Sequence, residues 1–315
     1  MTADNPFTDC WYLTGATATG KTRIALALAR ALDAEIVSLD SMALYRGMDV
    51  GTAKPTLEQQ AVVPHHLIDV VDPQDEFSVA QYLDRAREAV ASIRARGRQP
   101  LFVGGTPLYL KALLRGLFEG PPANWQLRRE VEAEVARVGA AALHRHLQEV
   151  DPVAASAIHP NDTRRLIRAL EVFRATGQPI SHQQMEFDDG APAARRRVFV
   201  LQRSREEQHE RINARVEEML ARGLVDEVSR LTADGRQLGR TASQAVGYRE
   251  VIAHLRGEWD YPTMVAKIKT RTRQFAKRQG TWFRSLSECR FIEIAGEPDE
   301  QALAAEIIAA GCEAI

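Results

Sequence analysis

A glycine-rich segment near the start of the chain constrains the fold more than any other feature. Residues 15–22 read Gly-Ala-Thr-Ala-Thr-Gly-Lys-Thr and fit the pattern G-x-x-x-x-G-K-[ST]. They follow the apolar run Trp11–Leu13 and precede a helical pattern over residues 24–30. In this strand–loop–helix setting the glycines let successive amides face a phosphate, and the helix adds its positive end. The segment predicts a site for a di- or triphosphate; the alternative is a glycine turn with an unrelated lysine.

The loop also indicates a metal ion. A lysine beside phosphates supplies a point charge, and the hydroxyl group that follows it suits Mg²⁺, which is therefore the expected cofactor. We expect Thr22 to hold the metal. The candidate phosphate ligands are the loop residues Gly15, Ala16, Thr17, Ala18, Thr19, Gly20, Lys21 and Thr22.

Length and composition narrow the class of protein. With 315 residues, 45% of them hydrophobic, the chain can bury a full core and suggests two domains. No apolar run reaches the roughly 18 residues of a transmembrane helix, and no signal peptide is expected. The three cysteines lie far apart, which fits neither a disulfide framework nor a zinc site and favours a cytoplasmic setting. Because the net charge is −1, a nucleic acid would have to bind at local basic patches.

Alternating short apolar runs and helical patterns predict an α/β core with a parallel sheet flanked by helices. The predicted helices of the first third are Thr22–Leu32 and Val79–Arg96. The predicted strands are Cys10–Leu13, Glu35–Leu39, His66–Val71, Pro100–Val103, Arg197–Gln202 and Arg290–Ile294.

Between the strands lies a segment with helical patterns only. It runs from 120 to 192, bounded by Gly-Pro-Pro at one end and Asp-Asp-Gly-Ala-Pro at the other. Helices are predicted over Trp125–Val138, from Asp151-Pro152, and from Asn161-Asp162 to Gly177. The predicted organisation is thus a P-loop NTPase-like core, residues 1–119 and 193–315, with an all-helical insertion domain, residues 120–192.

Two strand ends carry candidate chemistry, because ligands of parallel sheets lie beyond the carboxyl ends of the strands. Asp40 follows the second strand and suits a general base or an outer partner of Mg²⁺; a turn cap is the alternative. Gly104-Gly105-Thr106 ends a later strand where ATPases and kinases carry an aspartate. There the backbone can approach a ligand and Thr106 can bond it, although a tight turn would also explain the glycines. The missing acid argues against ATP hydrolysis.

Three helices carry groups of basic residues. Arg164, Arg165 and Arg168 lie on one helix and suit a phosphate backbone, or form a solvated face. Tyr261–Ser287 holds seven basic residues and no acidic one, with Val265, Ile268, Thr272 and Phe275 as the predicted packing face; this favours nucleic acid over a solvated face. On the helix Arg205–Arg222, Arg211 and Arg215 could bind a diphosphate, or pair with nearby glutamates. His65-His66 fits a core or capping role.

Taken together, these motifs resemble the bacterial tRNA dimethylallyltransferase (tRNA isopentenyltransferase) family over nearly the whole chain. Asp40-Ser41 and the Gly-Thr-Ala-Lys-Pro segment are highly specific for it. The matching segments are 14–22, 40–42, 45–55, 65–69, 103–110, 159–162 with Arg164-Arg165-x-x-Arg168-Ala-Leu-Glu171, 247–250, 273–279 and 281–283.

The resemblance implies transfer of a dimethylallyl group from dimethylallyl diphosphate to the exocyclic amine of the adenosine 3′ of the anticodon, in tRNAs that read codons beginning with U. It implies Asp40 as general base, Thr106 as a hydrogen-bonding group, and Lys21 and Arg215 on the leaving diphosphate, with Arg211 as a further diphosphate ligand. The insertion domain would grip the anticodon stem-loop of a monomeric, membrane-free enzyme. The residues implied to contact tRNA are Asp40, Ser41, Met42, Ala43, Thr106, Arg128, Arg164, Arg165, Arg168, Gly247, Tyr248, Arg249, Lys277 and Arg278.

The chain departs from the family pattern at a few positions. Ala16 and Thr19 stand where proline and serine are usual, and Ala43 stands where glutamine is frequent. Three other functions remain open from the residues alone: a transferase that prenylates free AMP, ADP or ATP, a small-molecule kinase, and a non-enzymatic RNA-binding protein. The arginine-bearing insertion argues against the first, and the missing strand-end acid argues against the second.

Overall fold

The structure, a computed structural model, describes residues 5–116, 120, 125–184, 192–193 and 196–313. The chain divides into two compact units. The first, here called the α/β unit, comprises Met1–Leu114 and Gly190–Ile315, and the second, the helical unit, comprises Arg115–Asp189. No helix in the described part of the chain is both long and apolar enough to cross a bilayer.

The α/β unit is built on one six-stranded sheet in which every pairing is parallel. The strands are β1 (Trp11–Gly15), β2 (Ala34–Ser38), β3 (His65–His66), β4 (Gln99–Gly104), β5 (Val198–Gln202) and β6 (Cys289–Glu293). Their order in the sheet is β3-β2-β4-β1-β5-β6, so β1 lies inside the sheet between β4 and β5. This confirms the predicted α/β core with a parallel sheet.

One predicted strand is wrong in extent. The apolar run His66–Val71 predicts six extended residues, whereas β3 ends at His66. Leu67 and Asp69 have φ of 59° and 56°, which turns the chain out of the extended conformation. At the end of the run, Val71 forms only an isolated parallel β-bridge with Tyr45. The hydrophobic pattern could not show this, because the turn is made by backbone angles that these residue types rarely adopt.

Helices cover both faces of the sheet, and apolar side chains of the first and last helices pack with the strands around Leu13 and Leu201 in one buried core. The helices of the α/β unit are α1 (Lys21–Ala31), α2 (Leu57–Val62), α3 (Val79–Ala95), α4 (Pro107–Arg115, which crosses the unit boundary), α10 (Arg205–Ala221), α11 (Leu224–Leu231), α12 (Tyr248–Leu255), α13 (Tyr261–Arg284) and α14 (Glu300–Cys312).

The packing face of α13 differs from the predicted one. Phe275, expected in the core, is 38% exposed. A small residue, Ala276, packs instead against Ala16 and Ala18 of the glycine-rich loop. The face of α13 that packs against the loop therefore carries a small side chain, and the large apolar side chain next to it is exposed. The buried residues of α13 are Met264, Ile268, Ala276, Gln279 and Phe283.

The helical unit has its own core. Two of its helices begin where the sequence predicts, since Asp151 accepts from the amide of Ala154 and Asp162 from that of Arg165. Gly177, with φ of 70°, ends the second of these. The helices are α5 (Trp125–Val138), α6 (Ala140–Val150), α7 (Pro152–Ala157), α8 (Thr163–Thr176) and α9 (Ile180–Gln184), and their buried residues include Val131, Leu143, Leu147, Leu166 and Leu170.

Candidate active site

The loop between β1 and α1 has the backbone form of an anion-binding loop. Gly15, Ala18 and Gly20 have φ of 140°, 64° and 95°, and left-handed residues among ordinary ones make a concave arrangement of amides. Gly15 is also required for space, because a Cβ there would lie 2.5 Å from the carbonyl oxygen of Leu201. With α1 starting at Lys21, the loop offers amides and a helix N-terminus to the same anion.

Side-chain donors of the protein form hydrogen bonds with the carbonyl oxygens of this loop. With the carbonyls occupied in this way, amides of the loop can face a ligand, as an anion site requires, except that of Thr17, which donates to Gln279 Oε1. The donors are Lys21 Nζ to Gly15 O (2.9 Å) and Ala16 O (2.8 Å), Gln208 Nε2 to Thr17 O (3.2 Å), Arg211 Nε to Ala18 O (3.2 Å) and Arg203 Nε to Thr19 O (3.1 Å).

Charged side chains from three different segments lie within electrostatic range of one another at the loop. The pKa of Lys21 is lowered to about 7, chiefly by burial and then by the nearby guanidinium of Arg215, while the carboxylate of Asp40 opposes both effects. Burial also lowers the pKa of Arg215, against the attraction of Asp40 and Glu218. Lys21, Arg215 and Asp40 are therefore close enough to act on one another's charge. The structure thus brings together two cations and the proposed base, although the three lie far apart in the sequence.

Asp40 and Thr106 belong to two turns that are hydrogen-bonded together. Asp40 Oδ1 accepts from the amides of Met42 (2.8 Å) and Ala43 (3.4 Å), so this carboxylate does cap a turn. Thr106 Oγ1 accepts from the amide of Ser41 at 3.0 Å. These contacts use one oxygen of Asp40, and they fix the position of its side chain at the end of β2.

The two glycines at the end of β4 are required by close packing. A Cβ on Gly104 would overlap the backbone of Leu39, which follows β2. A Cβ on Gly105 would lie 2.7 Å from Gln279 Nε2 and 3.2 Å from the carbonyl oxygen of Gly15. Both positions therefore allow the Thr106 turn to lie directly against the Asp40 turn and the glycine-rich loop.

Arg211 and Arg215, predicted as a pair, serve different neighbours. Besides its bond to the loop carbonyl of Ala18, Arg211 donates to Glu297 at 2.5 Å. The hydrogen bond from Arg211 lowers the pKa of Glu297. Arg215, one turn further along α10, is instead coupled to Lys21 and Asp40. In this structure Arg211 supports the loop and Arg215 belongs to the charged cluster.

Two buried polar residues contact the loop although the sequence predicts no role for them. Arg203, 5% exposed, follows β5 and bonds Thr19 O, Gly296 O at 2.7 Å and the Glu207 carboxylate. Gln279, also 5% exposed, bonds the amide of Thr17. Gln279 lies one turn after Ala276 on the buried face of α13. A polar residue at that position could have indicated a buried contact, but the spacing of apolar residues does not reveal it.

In the segment from Gly247 to Arg249, which is predicted to contact RNA, the middle residue is buried in the protein. Tyr248 is completely buried, and its hydroxyl donates to Glu227 at 2.5 Å. Burial and the neighbouring Glu227 raise its pKa well above the usual range. Its ring also fills the space that a Cβ on Gly51 would need. Tyr248 is therefore a packing residue, whereas Arg249 is exposed.

Ala43 and Gly247 are buried as well, while Ser41 and Met42 are partly accessible at the turn that Asp40 caps. Gly247, with φ of 97°, starts α12 and donates its amide to Glu250 at 2.7 Å. The predicted contacts of Ala43 and Gly247 with RNA stay predictions, and the burial of both residues means that such contacts would need the turn to open.

The basic residues of α13 fall into two groups. Arg271 pairs with Glu250 and Lys269 with Glu217, while Lys267 lies 4.6 Å from the ring centroid of Trp259. Near the other end of the helix the predicted RNA ligands Lys277 and Arg278 are exposed, close in sequence to the exposed Phe275. Lys277 and Arg278, together with the exposed Arg284 at the end of the helix, are therefore available to a polyanion, whereas the neighbouring Ala276 is buried.

The helical unit carries its own arginines. Arg164 and Arg165 are exposed on α8. Arg168 is partly buried, and it donates to Glu171 at 2.7 Å. Arg128 of α5 bonds both oxygens of the same Glu171, at 3.1 and 3.0 Å. Since Glu171 is 1% exposed, this ion pair is part of the unit's packing, which the spacing of arginines alone could not indicate.

Thr22 is the second residue of α1, and its side chain is half-buried. Among the residues that the structure describes, no three His, Cys, Asp or Glu side chains form a group that could hold a metal ion. Mg²⁺ in phosphate sites keeps several waters and binds through one or two protein oxygens together with the phosphates. A single hydroxyl beside a phosphate loop fits that mode of binding, and the Mg²⁺ ion itself stays a prediction.

Comparison with known proteins shows which family this chain resembles. A family model described as IPP transferase matches residues 43–286. A protein of Rhodopirellula baltica named tRNA dimethylallyltransferase is 50% identical over 292 residues, covering 90% of this chain and 87% of the relative. A Thermotoga petrophila protein of the same name is 45% identical and covers 90% of this chain and 92% of the relative.

Solved structures resemble the whole chain. The full-length tRNA isopentenylpyrophosphate transferase from Bacillus halodurans is 38% identical, with a TM-score of 0.70 and 97% of each chain covered. A eukaryotic dimethylallyltransferase described as acting on tRNA is 25% identical, with a TM-score of 0.75 over 90% of this chain and 73% of the other.

Proposed function

The chain belongs to the IPP transferase family, a family of tRNA-modifying prenyltransferases, and we propose that it transfers the dimethylallyl group of dimethylallyl diphosphate to an adenine amine of tRNA. The acceptor is the adenosine 3′ of the anticodon, in tRNAs that read codons beginning with U. One observation carries the assignment of roles: Asp40 lies within electrostatic reach of Lys21 and Arg215 at the phosphate loop. A base and two cations in one place suit a reaction that removes a proton and releases a diphosphate.

The phosphate loop receives the donor. Its amides and the N-terminus of α1 bind the diphosphate, as they would bind the phosphates of a nucleotide. Lys21 now bonds loop carbonyls, and a bound diphosphate would offer its ammonium group a stronger, charged acceptor. Thr22 and the phosphate oxygens would hold Mg²⁺, which when bound neutralises charge on the diphosphate.

In the chemical step the adenine amine attacks the allylic carbon that carries the diphosphate. The new N–C bond forms as the C–O bond breaks, and the diphosphate leaves with the electron pair of that bond. Because the lone pair of the amine is delocalised into the ring, the amine is a poor nucleophile, and Asp40 accepts the proton that it loses. Lys21 and Arg215 stabilise the negative charge that develops on the leaving group.

The Thr106 turn places a hydroxyl group beside the same carboxylate. Thr106 Oγ1 accepts from the Ser41 amide and donates its hydroxyl hydrogen to Ser41 Oγ over a long contact of 3.4 Å. In the proposed complex this hydrogen turns from Ser41 to an acceptor of the substrate at the reacting centre. The base has to leave the anticodon-loop stack to reach this position, as in other enzymes that modify bases.

Two basic surfaces suit the RNA backbone. Lys277 and Arg278 are exposed on α13 in the α/β unit, and Arg164 and Arg165 are exposed on α8 in the helical unit. Since the chain as a whole has a net charge of −1, such local patches have to supply the attraction to phosphates. We assign the helical unit to the anticodon stem-loop on this ground. The enzyme acts as a monomer in the cytoplasm in this proposal.

The experiment that tests the proposed function incubates the protein with labelled dimethylallyl diphosphate and an unmodified tRNA that reads a codon beginning with U. The matched control is the same tRNA with guanosine in place of the adenosine 3′ of the anticodon. We expect label in the first RNA and none in the second. Transfer to free AMP, ADP or ATP in preference to tRNA would favour the free-nucleotide reaction instead. ATP hydrolysis coupled to the reaction would favour a kinase, and RNA binding without transfer would exclude an enzyme.

A further inference from the structure

Gln279 of α13 joins two segments of the site that are distant in sequence. Its Oε1 accepts from the amide of Thr17 at 3.0 Å, and its Nε2 donates to the carbonyl oxygen of Gly105 at 2.5 Å. Thr17 belongs to the phosphate loop, and Gly105 immediately precedes Thr106. One carboxamide group thus connects the part of the site that binds the diphosphate with the part that carries the base.

Both ends of this carboxamide are chemically specified. Thr17 offers only an N–H donor and Gly105 only a carbonyl acceptor at these contacts. A carboxylate could accept from Thr17 but would repel the carbonyl oxygen, and an apolar side chain could make neither bond. Because Gln279 is 5% exposed and Gly105 is buried, the carbonyl of Gly105 would remain buried and unpaired without this side chain, whereas Thr17 is partly accessible. Glutamine has the donor, the acceptor and the length that the two contacts require.

The connection continues from Gly105 to the proposed base. Thr106 Oγ1 holds the amide of Ser41, the residue after Asp40, and the amide of Thr106 donates to Leu39 O at 3.1 Å. A shift of the Gly105 carbonyl would therefore move the turn that sets the position of Asp40. On the other side, Ala276 of the same helix packs against Ala16 and Ala18 of the loop. α13 is thus the element against which both halves of the site are aligned.

We propose that Gln279 is a positioning residue for the transfer reaction: it fixes the distance and angle between the diphosphate held by the loop and the acceptor amine held near Asp40 and Thr106. This inference rests on the proposed function. Effective catalysis requires reacting atoms to be aligned within a few tenths of an ångström, and a misplacement of about 1 Å can reduce the rate about 100-fold. Loss of Gln279 should therefore reduce turnover more than it reduces binding of either substrate.

The test compares three glutamine-to-methionine variants of the full chain. Gln279→Met removes both contacts; Gln208→Met removes only a bond to the carbonyl of Thr17; Gln301→Met alters an exposed residue of α14 outside the site. We expect Gln279→Met to lower kcat by roughly 10- to 100-fold with both KM values within about threefold of the wild type. Gln208→Met should act mainly on the KM for dimethylallyl diphosphate, and Gln301→Met should leave both constants unchanged.

Two further measurements keep the test decisive. Binding of inorganic pyrophosphate and thermal unfolding report whether each variant is folded, and Gln279→Asn, which can reach only one partner, replaces the methionine variant if that one fails to fold. In a double-mutant cycle, Gln279→Met combined with Thr106→Ala should lose little more kcat than Thr106→Ala alone, because both act on one turn.

Losses in kcat that multiply in the double variant would overturn the proposal, as would a Gln279→Met variant with the kcat of Gln301→Met. A drop in unfolding temperature with normal kcat per folded molecule would reduce Gln279 to a structural role. These outcomes are separate from a failure of the proposed function, in which the wild-type protein itself would transfer no label to tRNA.

Discussion

The charge state of Lys21 gives a quantitative test of the diphosphate site. Burial and the neighbouring Arg215 lower its pKa to about 7, compared with 10.5 for an unperturbed lysine. A bound diphosphate places negative charge beside the ammonium group and raises this pKa again. Binding therefore requires the protonated form, and any fraction of the protein in which Lys21 is neutral has to take up a proton from solution.

The sign and size of the effect follow from linkage. Well below pH 7 Lys21 is already charged, and its contribution to the affinity does not depend on pH. Above pH 7 the affinity falls as pH rises, by about 15-fold between pH 7 and pH 8.5 if the bound pKa returns to its ordinary range. Uptake is about 0.1 proton per ligand at pH 6 and about 0.9 at pH 8.

Calorimetry in buffers of different ionisation enthalpy measures this proton uptake directly. Dimethylallyl diphosphate is titrated in without divalent cations, so that the lysine and the ligand are the groups that change protonation. Lys21→Arg is the matched control, because its guanidinium stays charged while the ligand's own protonation is unchanged. We expect the wild type to take up about 0.9 proton more than the variant at pH 8 and only about 0.1 more at pH 6. Equal uptake at both values would refute the account of Lys21.

Two further predictions follow from buried carboxylates and exposed arginines. Glu227 accepts from the amides of residues 49–51 and from Tyr248, so Glu227→Gln should lower the free energy of unfolding in urea by roughly 2–3 kcal/mol; an unchanged midpoint would contradict this role. Replacing Arg164 and Arg165 by glutamine should weaken tRNA binding and reduce its salt dependence by up to about 0.9 per lost phosphate contact, with little change in kcat at saturating tRNA. An unchanged salt slope would assign both arginines to a solvated face.

Much of the fold could be predicted because it depends on patterns of residues that are close together in the sequence. The glycine-rich loop, the strand–helix alternation and the caps at Asp151 and Asp162 depend on neighbouring residues, and the structure has them at or within a few residues of the predicted positions. The run from His66 to Val71 shows the limit. Its apolar pattern predicts a strand, but positive φ at Leu67 and Asp69 ends it early.

The site was less predictable, because its residues are related by contacts across the fold. Gln279 lies 262 positions from Thr17, and nothing in its neighbourhood indicates the contact. The family motif 247–250 predicts an RNA contact for Tyr248, yet in the structure its hydroxyl is buried and donates to Glu227. Arg128 and Arg168 were grouped by charge, whereas their pairing with Glu171 depends on how α5 and α8 pack.

The most direct test of the central claim concerns Asp40 as the acceptor of the amine proton. The structure makes Asp40→Asn a clean substitution, because the amide oxygen can still accept from Met42 and Ala43 and preserve the turn, but an amide cannot take the proton. The measurement is the single-turnover rate with tRNA and dimethylallyl diphosphate both saturating. We predict a loss of roughly 10²- to 10⁴-fold, with the affinity for each substrate changed far less. A rate within a few-fold of the wild type would contradict the assignment of Asp40 as the general base.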